Sequence, residues 1–296
     1  MSRRHLLLLT LGVSAVSFSA VLVRLADAPP LAVAFYRCAM ASAVVLPLAL
    51  LRNGPAFRRL TRRQLGLCVM SGAFLALHFA TWIPSVSLTT VAASTVLVTT
   101  SPLWVALLGR LIGERMSKRA AGGVLIALVG TVIITGGGLG GSGRDVAGDA
   151  LAVLGALFAA AYVLAGRSLR QELPLLPYVS VVYVTSAALM AVAMLARGTP
   201  FTGYSPKVWL LFALMTAGPQ LLGHTVFNLL LGELSATVVA VSIMAEPVGA
   251  TVLAFAVLGE APGLATLIGS ALVLTGVYVG ITAQTRVSLA GAAPVE

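Results

Sequence analysis

Apolar residues run along this chain in long blocks separated by short polar connections. With a window of about 20 residues, the length an α-helix needs to cross a hydrocarbon core, ten blocks stand out. They lie near 6–25, 31–51, 65–83, 88–110, 121–137, 149–166, 176–196, 207–230, 235–257 and 263–283. The blocks are too long and too evenly apolar for strands or for surface helices with one polar face. The pattern predicts an all-α integral membrane protein of ten transmembrane helices. Its connections, mostly about 4–12 residues, leave no room for a separate soluble domain.

The blocks repeat. Residues 101–114 begin with Ser101-Pro102 and close on Gly113-Glu114, and residues 246–260 begin with Glu246-Pro247 and close on Gly259-Glu260. His78 and His224, Glu114 and Glu260, and Gly130 and Gly276 are each 146 residues apart, and Pro102 and Pro247 are 145 apart. A spacing held over that distance marks a duplicated unit, here a unit of five spans. An odd number of spans makes the second unit enter the membrane from the opposite side. The expected architecture is therefore an inverted pair about a pseudo-two-fold axis in the membrane plane, which supports two access states around one central site.

Composition agrees and charge supplies the orientation. The chain has 296 residues, 59% of them hydrophobic and 9% charged, with a mean hydropathy of +1.02. A soluble protein carries about a quarter charged residues, so this chain has no polar surface to present to water. The net charge of +10 raises the question of nucleic acid, and its distribution answers it. With the amino terminus in the cytoplasm, 14 Lys and Arg fall inside, 4 fall outside, and Arg37 lies within a span. Cytoplasmic loops carry such an excess, so no nucleic-acid partner is needed. Both termini are expected in the cytoplasm of a multi-pass protein of the inner or plasma membrane. The loop after the first Gly-Glu carries Arg115, Lys118 and Arg119, whereas the second is followed by Ala261-Pro262-Gly263, as opposite orientations require.

Three features have plain readings. Ser2-Arg3-Arg4 before an apolar run resembles a twin-arginine signal, and Ser17-Phe18-Ser19-Ala20 a cleavage site; losing this helix would break the five-plus-five count, so it is read as a retained first span. Cys38 and Cys68 lie inside apolar blocks and read as small buried hydrophobes rather than a disulfide or metal ligands. The glycine-rich stretch 136–143 lacks the lysine of a phosphate-binding loop and reads as a flexible joint. The expected organisation is a first repeat over 6–137, a linker over 138–148, a second repeat over 149–283 and a cytoplasmic tail over 284–296.

Ala34-Phe35-Tyr36-Arg37, Ser101-Pro102 with Gly113-Glu114, Gly122 through Gly130, Glu246-Pro247 with Gly259-Glu260, and Gly269 through Gly276 together resemble the EamA family of the drug/metabolite transporter superfamily. The resemblance runs from about residue 9 to 282 and is strongest in spans 3–5 and 8–10. It implies two five-helix EamA repeats around a central cavity lined by spans 1–4 and 6–9, with spans 5 and 10 at the periphery. It also implies efflux of amino acids, other small metabolites or drugs. The tryptophan typical of span 1 is missing, and Phe18 stands in that region.

Four ionisable residues lie deep in the spans, where charge is costly. Glu246 sits near the middle of span 9, roughly 16 Å from its cytoplasmic start, and Pro247 removes a backbone hydrogen bond beside it. Its carboxyl either binds and releases a proton as access alternates or is a neutral or paired group that fixes packing. Arg37 either clamps a substrate carboxylate, pairs with Glu246, or snorkels to the outer interface. His78 and His224 occupy equivalent positions, with Trp82 and Asn228 four residues on along the same helix faces. Inversion assigns His78 to an outer gate and His224 to an inner one, against the plainer reading of histidines bonded within the bundle. Thr95, Thr99 and Pro102 form a stripe that lines the cavity or bonds back to its own helix. Tyr162 and Tyr183 are further lining candidates, and Pro102 and Pro247 mark two bends. The pairs Gly109/Gly113 and Gly276/Gly280 suit close helix packing, in a monomer or a homodimer. Glu114 and Glu260 read as helix-end contacts.

These residues point to a secondary active transporter that moves a small-molecule solute by alternating access, with proton-coupled export as the expected mode. The expected partners are the solute, the proton and the lipid bilayer, with no cofactor and no metal. The alternatives are a non-coupled channel-like facilitator, a membrane scaffold, or an intramembrane enzyme built on His78, His224 and Glu246. For an enzyme, the chain offers no His-Glu-x-x-His, no Gly-x-Ser-x-Gly and no carboxylate pair at metal-ligand spacing within an expected helix. It also has no nucleotide-binding loop to drive a pump.

Overall fold

The computed structural model describes residues 1–89, 91–113, 115–134, 143–258 and 263–290, which are helical apart from short turns, with no strand among them. Glu114, Gly259, Glu260, linker residues 138–142 and tail residues 291–296 lie outside the described residues. The first half contains α1 (Arg3–Ser17), α2 (Ser19–Leu25), α3 (Pro30–Arg58), α4 (Arg62–Leu88), α5 (Val91–Val98), α6 (Ser101–Gly109), a 3-10 turn (Arg110–Ile112) and α7 (Lys118–Ile134). The second contains α8 (Gly143–Arg170), α9 (Leu175–Arg197), α10 (Pro206–Met215), a π-helical segment (Thr216–His224), α11 (Thr225–Leu231), α12 (Ala236–Ile243), α13 (Glu246–Leu258) and α14 (Leu264–Ala290).

Among the described residues, seven helical segments are long and apolar enough to cross a membrane. Of the three other expected spans, α7 has 17 residues and the remaining two are split at the echoed prolines. Proline lacks the N–H that a helix interior needs but fits a helix's first turn, where that N–H would be unpaired. Pro102 accordingly sits in the first turn of α6, and Pro247 follows the first residue of α13. Each expected bend is thus a break between two shorter helices. α8 begins at Gly143, before the expected start at 149, with Asp145 in its first turn, where an acid favours the positive end of the helix dipole. Residues 143–148 of the expected linker are therefore helical.

Helix ends follow local chemistry. Thr61 and Gln64 form a reciprocal capping box at the start of α4, and Ser2, Ser205 and Ser235 accept backbone N–H bonds at other starts. Large apolar side chains point outward, with Leu51 85% and Leu7 70% exposed, as lipid contact requires. Inside, α4 packs on α8 and α9, α3 packs on α9, and α7 packs on α14.

The α7–α14 seam is the closest of these. A Cβ added to Gly123 would come within 2.6 Å of the Gly276 carbonyl oxygen, and one added to Gly130 within 2.5 Å of that of Gly269. Only glycine allows backbones this near. As numbers rise along α7 they fall along α14, so the two helices run antiparallel. The contacts are also reciprocal, because Gly269 and Gly276 are the 146-residue equivalents of Gly123 and Gly130. Gly276 and Gly280 thus pack within the chain. Gly109 is buried, whereas Gly113 faces open space and closes the 3-10 turn at φ 81°.

Candidate functional site

A cavity of about 70 Å³ lies between the two halves, room for on the order of five waters at about 10–15 Å³ each. Its wall comes from α1, α2, α4, α5, α8, α11, α12, the π segment, and the first residues of α6 and α13. The helices of expected spans 2 and 7, α3 and α9, stand one layer behind, so the lining is narrower than the resemblance implied.

His78 and His224 meet here. Their ring centroids are 6.3 Å apart, and both face the one cavity. The expectation of an outer and an inner gate is corrected. Equivalent residues meet when both face the contact between the two halves, as these two rings do. His78 Nδ1 donates to the Gly155 carbonyl at 2.9 Å; a carbonyl only accepts, so the proton is on Nδ1 and Nε2 is the nitrogen free to gain one. Its ring stacks on Trp82 at 6.0 Å. His224 packs edge-on to Phe79 and tilts against Tyr162.

The positions four residues on carry the polar handles. Trp82 Nε1 and Asn228 Oδ1 are both buried without a hydrogen-bond partner, and both residues line the cavity. One is a donor and the other an acceptor, from equivalent positions of the two halves. Asn228 is fixed through its nitrogen, which donates to Tyr162 Oη and, at 2.8 Å, to the His224 carbonyl. Buried polar atoms without partners are rare in folded proteins, and these two belong to residues that share one cavity wall.

Glu246 joins the lining at 7% exposure, as does Ser101, the corresponding residue beside the other proline. Two helix breaks cross at this point. Ser17 Oγ, beside the α1–α2 break at Phe18, donates to the Glu246 carbonyl at 3.3 Å. Phe18 itself is 43% exposed and does not line the cavity.

Arg37 is fully buried rather than snorkelling. Its Nε donates to Gln220 Oε1 at 3.0 Å and its Nη1 to Ser19 Oγ at 3.3 Å, and the guanidinium lies 4.0 Å over the Phe79 ring. Ser19 and Phe79 line the cavity, so Arg37 supports its wall from behind. It makes no contact ion pair with Glu246; ion pairs among the described residues include those of Arg4 and His5 with Glu233, at 2.5 and 2.7 Å. Gln220 belongs to the π segment, whose Pro219 cannot donate a backbone N–H. Tyr183 is also behind the wall, bonded to Thr225 Oγ1 at 2.8 Å and to the Gln220 carbonyl at 3.4 Å. Thr99 and Tyr162 line the cavity, whereas Thr95 is buried on α5 outside it. Gln220, Ser19 and Phe79 escaped the sequence reading; the signal for Gln220 was an amide beside a proline inside an apolar block. Cys38 and Cys68 are buried and free.

The EamA-like transporter family matches the chain twice, over residues 3–136 and 146–282. A protein of Archaeoglobus fulgidus described as an uncharacterized transporter is 26% identical over 288 residues, covering 96% of this chain and 99% of that one. A protein crystal structure superposes with a TM-score of 0.79 at 22% identity, over 95% of this chain and 97% of that one, which shows the shared fold.

Proposed function

The chain belongs to the EamA-like transporter family, and we propose that it is a secondary active transporter that exports a small metabolite by alternating access, driven by protons. Amino acids and similar compounds are the first substrate class, and drugs the second. In this reading ten crossings form two inverted five-helix repeats with both termini in the cytoplasm of the inner or plasma membrane. The antiparallel, reciprocal α7–α14 seam supports the inversion, and the excess of Lys and Arg at one end supports the orientation.

The observation that carries the functional reading is the pair of buried atoms without partners, Trp82 Nε1 and Asn228 Oδ1, on residues that line the cavity holding Glu246. A solute with one acceptor and one donor group satisfies both atoms. Glu246 then serves as the proton carrier, as an ionisable group beside a helix break on the cavity wall. The two histidines and Tyr162 complete the wall, and Arg37 holds Phe79 and Ser19 in place.

The test is transport in proteoliposomes with an imposed pH gradient, using a substrate found by thermal-shift screening of amino acids and metabolites. Glu246→Gln is expected to abolish gradient-driven accumulation while the protein still folds. Unchanged proton-driven accumulation in that variant would remove Glu246 from the mechanism. Cysteines placed at 138–148 are expected to react with reagents added from outside, and protection there would reverse the orientation.

A further inference from the structure

A second cavity lies on the flank of the bundle, away from the central one. α4 and α6 both pack on α8, and between them runs a groove of about 460 Å³. Phe74 and Leu108 form parts of its walls, Ala161 and Ala165 keep its floor low, and its polar lining is Arg63 and Ser168. From Arg63 to Phe74 along α4 is about 16 Å at roughly 1.5 Å per residue. A hydrocarbon core is about 30 Å thick, so the groove is as deep as one leaflet, with a cation at its mouth.

That cation is uncommitted. Among the described residues the side chains of Arg63 and of Arg110, which starts the 3-10 turn beside Leu108, have no hydrogen bond or ion pair. Both are exposed. Glu172 at the same end already accepts from Gln64 Nε2 at 3.0 Å. Arg58, Arg59 and Arg62 precede Arg63 across the α3–α4 connection.

We propose that this groove binds an anionic phospholipid of the adjoining leaflet, with one acyl chain against α8 and the phosphate on Arg63 and Arg110. An acyl chain gains little by leaving bulk lipid for an apolar groove, because lipid tails are as apolar as the wall. Selectivity therefore rests on the headgroup, where basic residues at an interface attract anionic lipid. The second half lacks the matching cation, since the 146-residue equivalent of Arg63 is Trp209. One site per chain follows.

Native mass spectrometry of the full-length protein from mixed micelles tests this, with phosphatidylglycerol and phosphatidylcholine of identical acyl chains at equal amounts. The wild type is expected to retain one phosphatidylglycerol in preference to phosphatidylcholine by roughly five-fold or more. Arg63→Gln with Arg110→Gln, both at exposed positions, is expected to abolish the preference without altering thermal unfolding. Ala165→Phe, which fills the floor, is expected to reduce retention of both lipids. No preference in the wild type, or an undiminished one in the double variant, would overturn the proposal. Efficient disulfide crosslinking of Leu111→Cys between chains would also overturn it, by assigning the groove to a second copy.

Discussion

The seam between α7 and α14 and the cavity between the halves descend from the same duplication, yet they treat its symmetry differently. At the seam it is kept: Gly123 meets Gly276 and Gly130 meets Gly269. At the cavity His78 and His224 are matched, but Trp82 faces Asn228 and Ser101 corresponds to Glu246. The helices behind differ as well. α4 is a continuous α-helix, whereas its counterpart winds through a π segment that brings Gln220 to Arg37. Symmetry persists where two backbones must fit each other and is lost where polar atoms must meet something that is itself asymmetric.

The seam offers the strongest way to break this comparison. Gly123→Ala and Gly276→Ala each force backbone apart, and each is expected to cost about 2–3 kcal/mol in unfolding measurements. Their equality is the sharper claim, and costs differing by more than about 1 kcal/mol would show that the seam is not symmetric. Gly122 faces open space, so Gly122→Ala is expected to cost nothing.

The next effect concerns Arg37 and its 146-residue equivalent, Tyr183. Arg37→Lys is expected to lose about 2 kcal/mol, because one ammonium cannot serve both Gln220 and Ser19 and stack on Phe79. Tyr183→Phe removes only the bonds to Thr225 and Gln220 and is expected to cost about 1 kcal/mol. The reverse order in denaturation would mean that α9, not α3, holds the π segment. Within the cavity, Tyr162→Phe leaves Asn228 Nδ2 with the His224 carbonyl alone and is expected to cost about 1 kcal/mol or less. Its larger effect should fall on substrate affinity, measured by thermal shift.

The smallest effect is at the surface. The Arg4 and His5 hydrogen bonds hold the Glu233 carboxyl below its ordinary range. A carboxyl lowered by folding adds stability that is present above its unfolded pKa and lost as pH falls through the folded one. Wild-type unfolding is therefore expected to weaken slightly more in acid than that of Glu233→Gln, as a melting series across the carboxylate range would read. The effect is small because the pair is exposed and screened.

Much of this fold was legible as apolar length. The block boundaries located the helices, and the repeated prolines located two discontinuities, although a single sequence does not distinguish a bent helix from a broken one. Equivalent positions for the histidines were legible from their spacing. Their meeting was not, because spacing fixes equivalence and not distance from the axis. The Arg37–Gln220 bond joins residues 183 apart, and no local pattern announces it. Nor does propensity foretell a π segment, where a tertiary bond from Tyr183 and a local one from Thr225 meet on the Gln220 carbonyl.

That winding also alters reach. Pro206–Leu231 has 26 residues and α4 has 27, but a π turn advances less per residue than an α turn. α4 extends about 40 Å at roughly 1.5 Å per residue, well beyond a hydrocarbon thickness of about 30 Å, and can absorb the excess by tilting. Its counterpart has less slack to absorb. Hydrophobic mismatch therefore acts unequally on the two halves, and a thicker bilayer strains the one that carries His224 first.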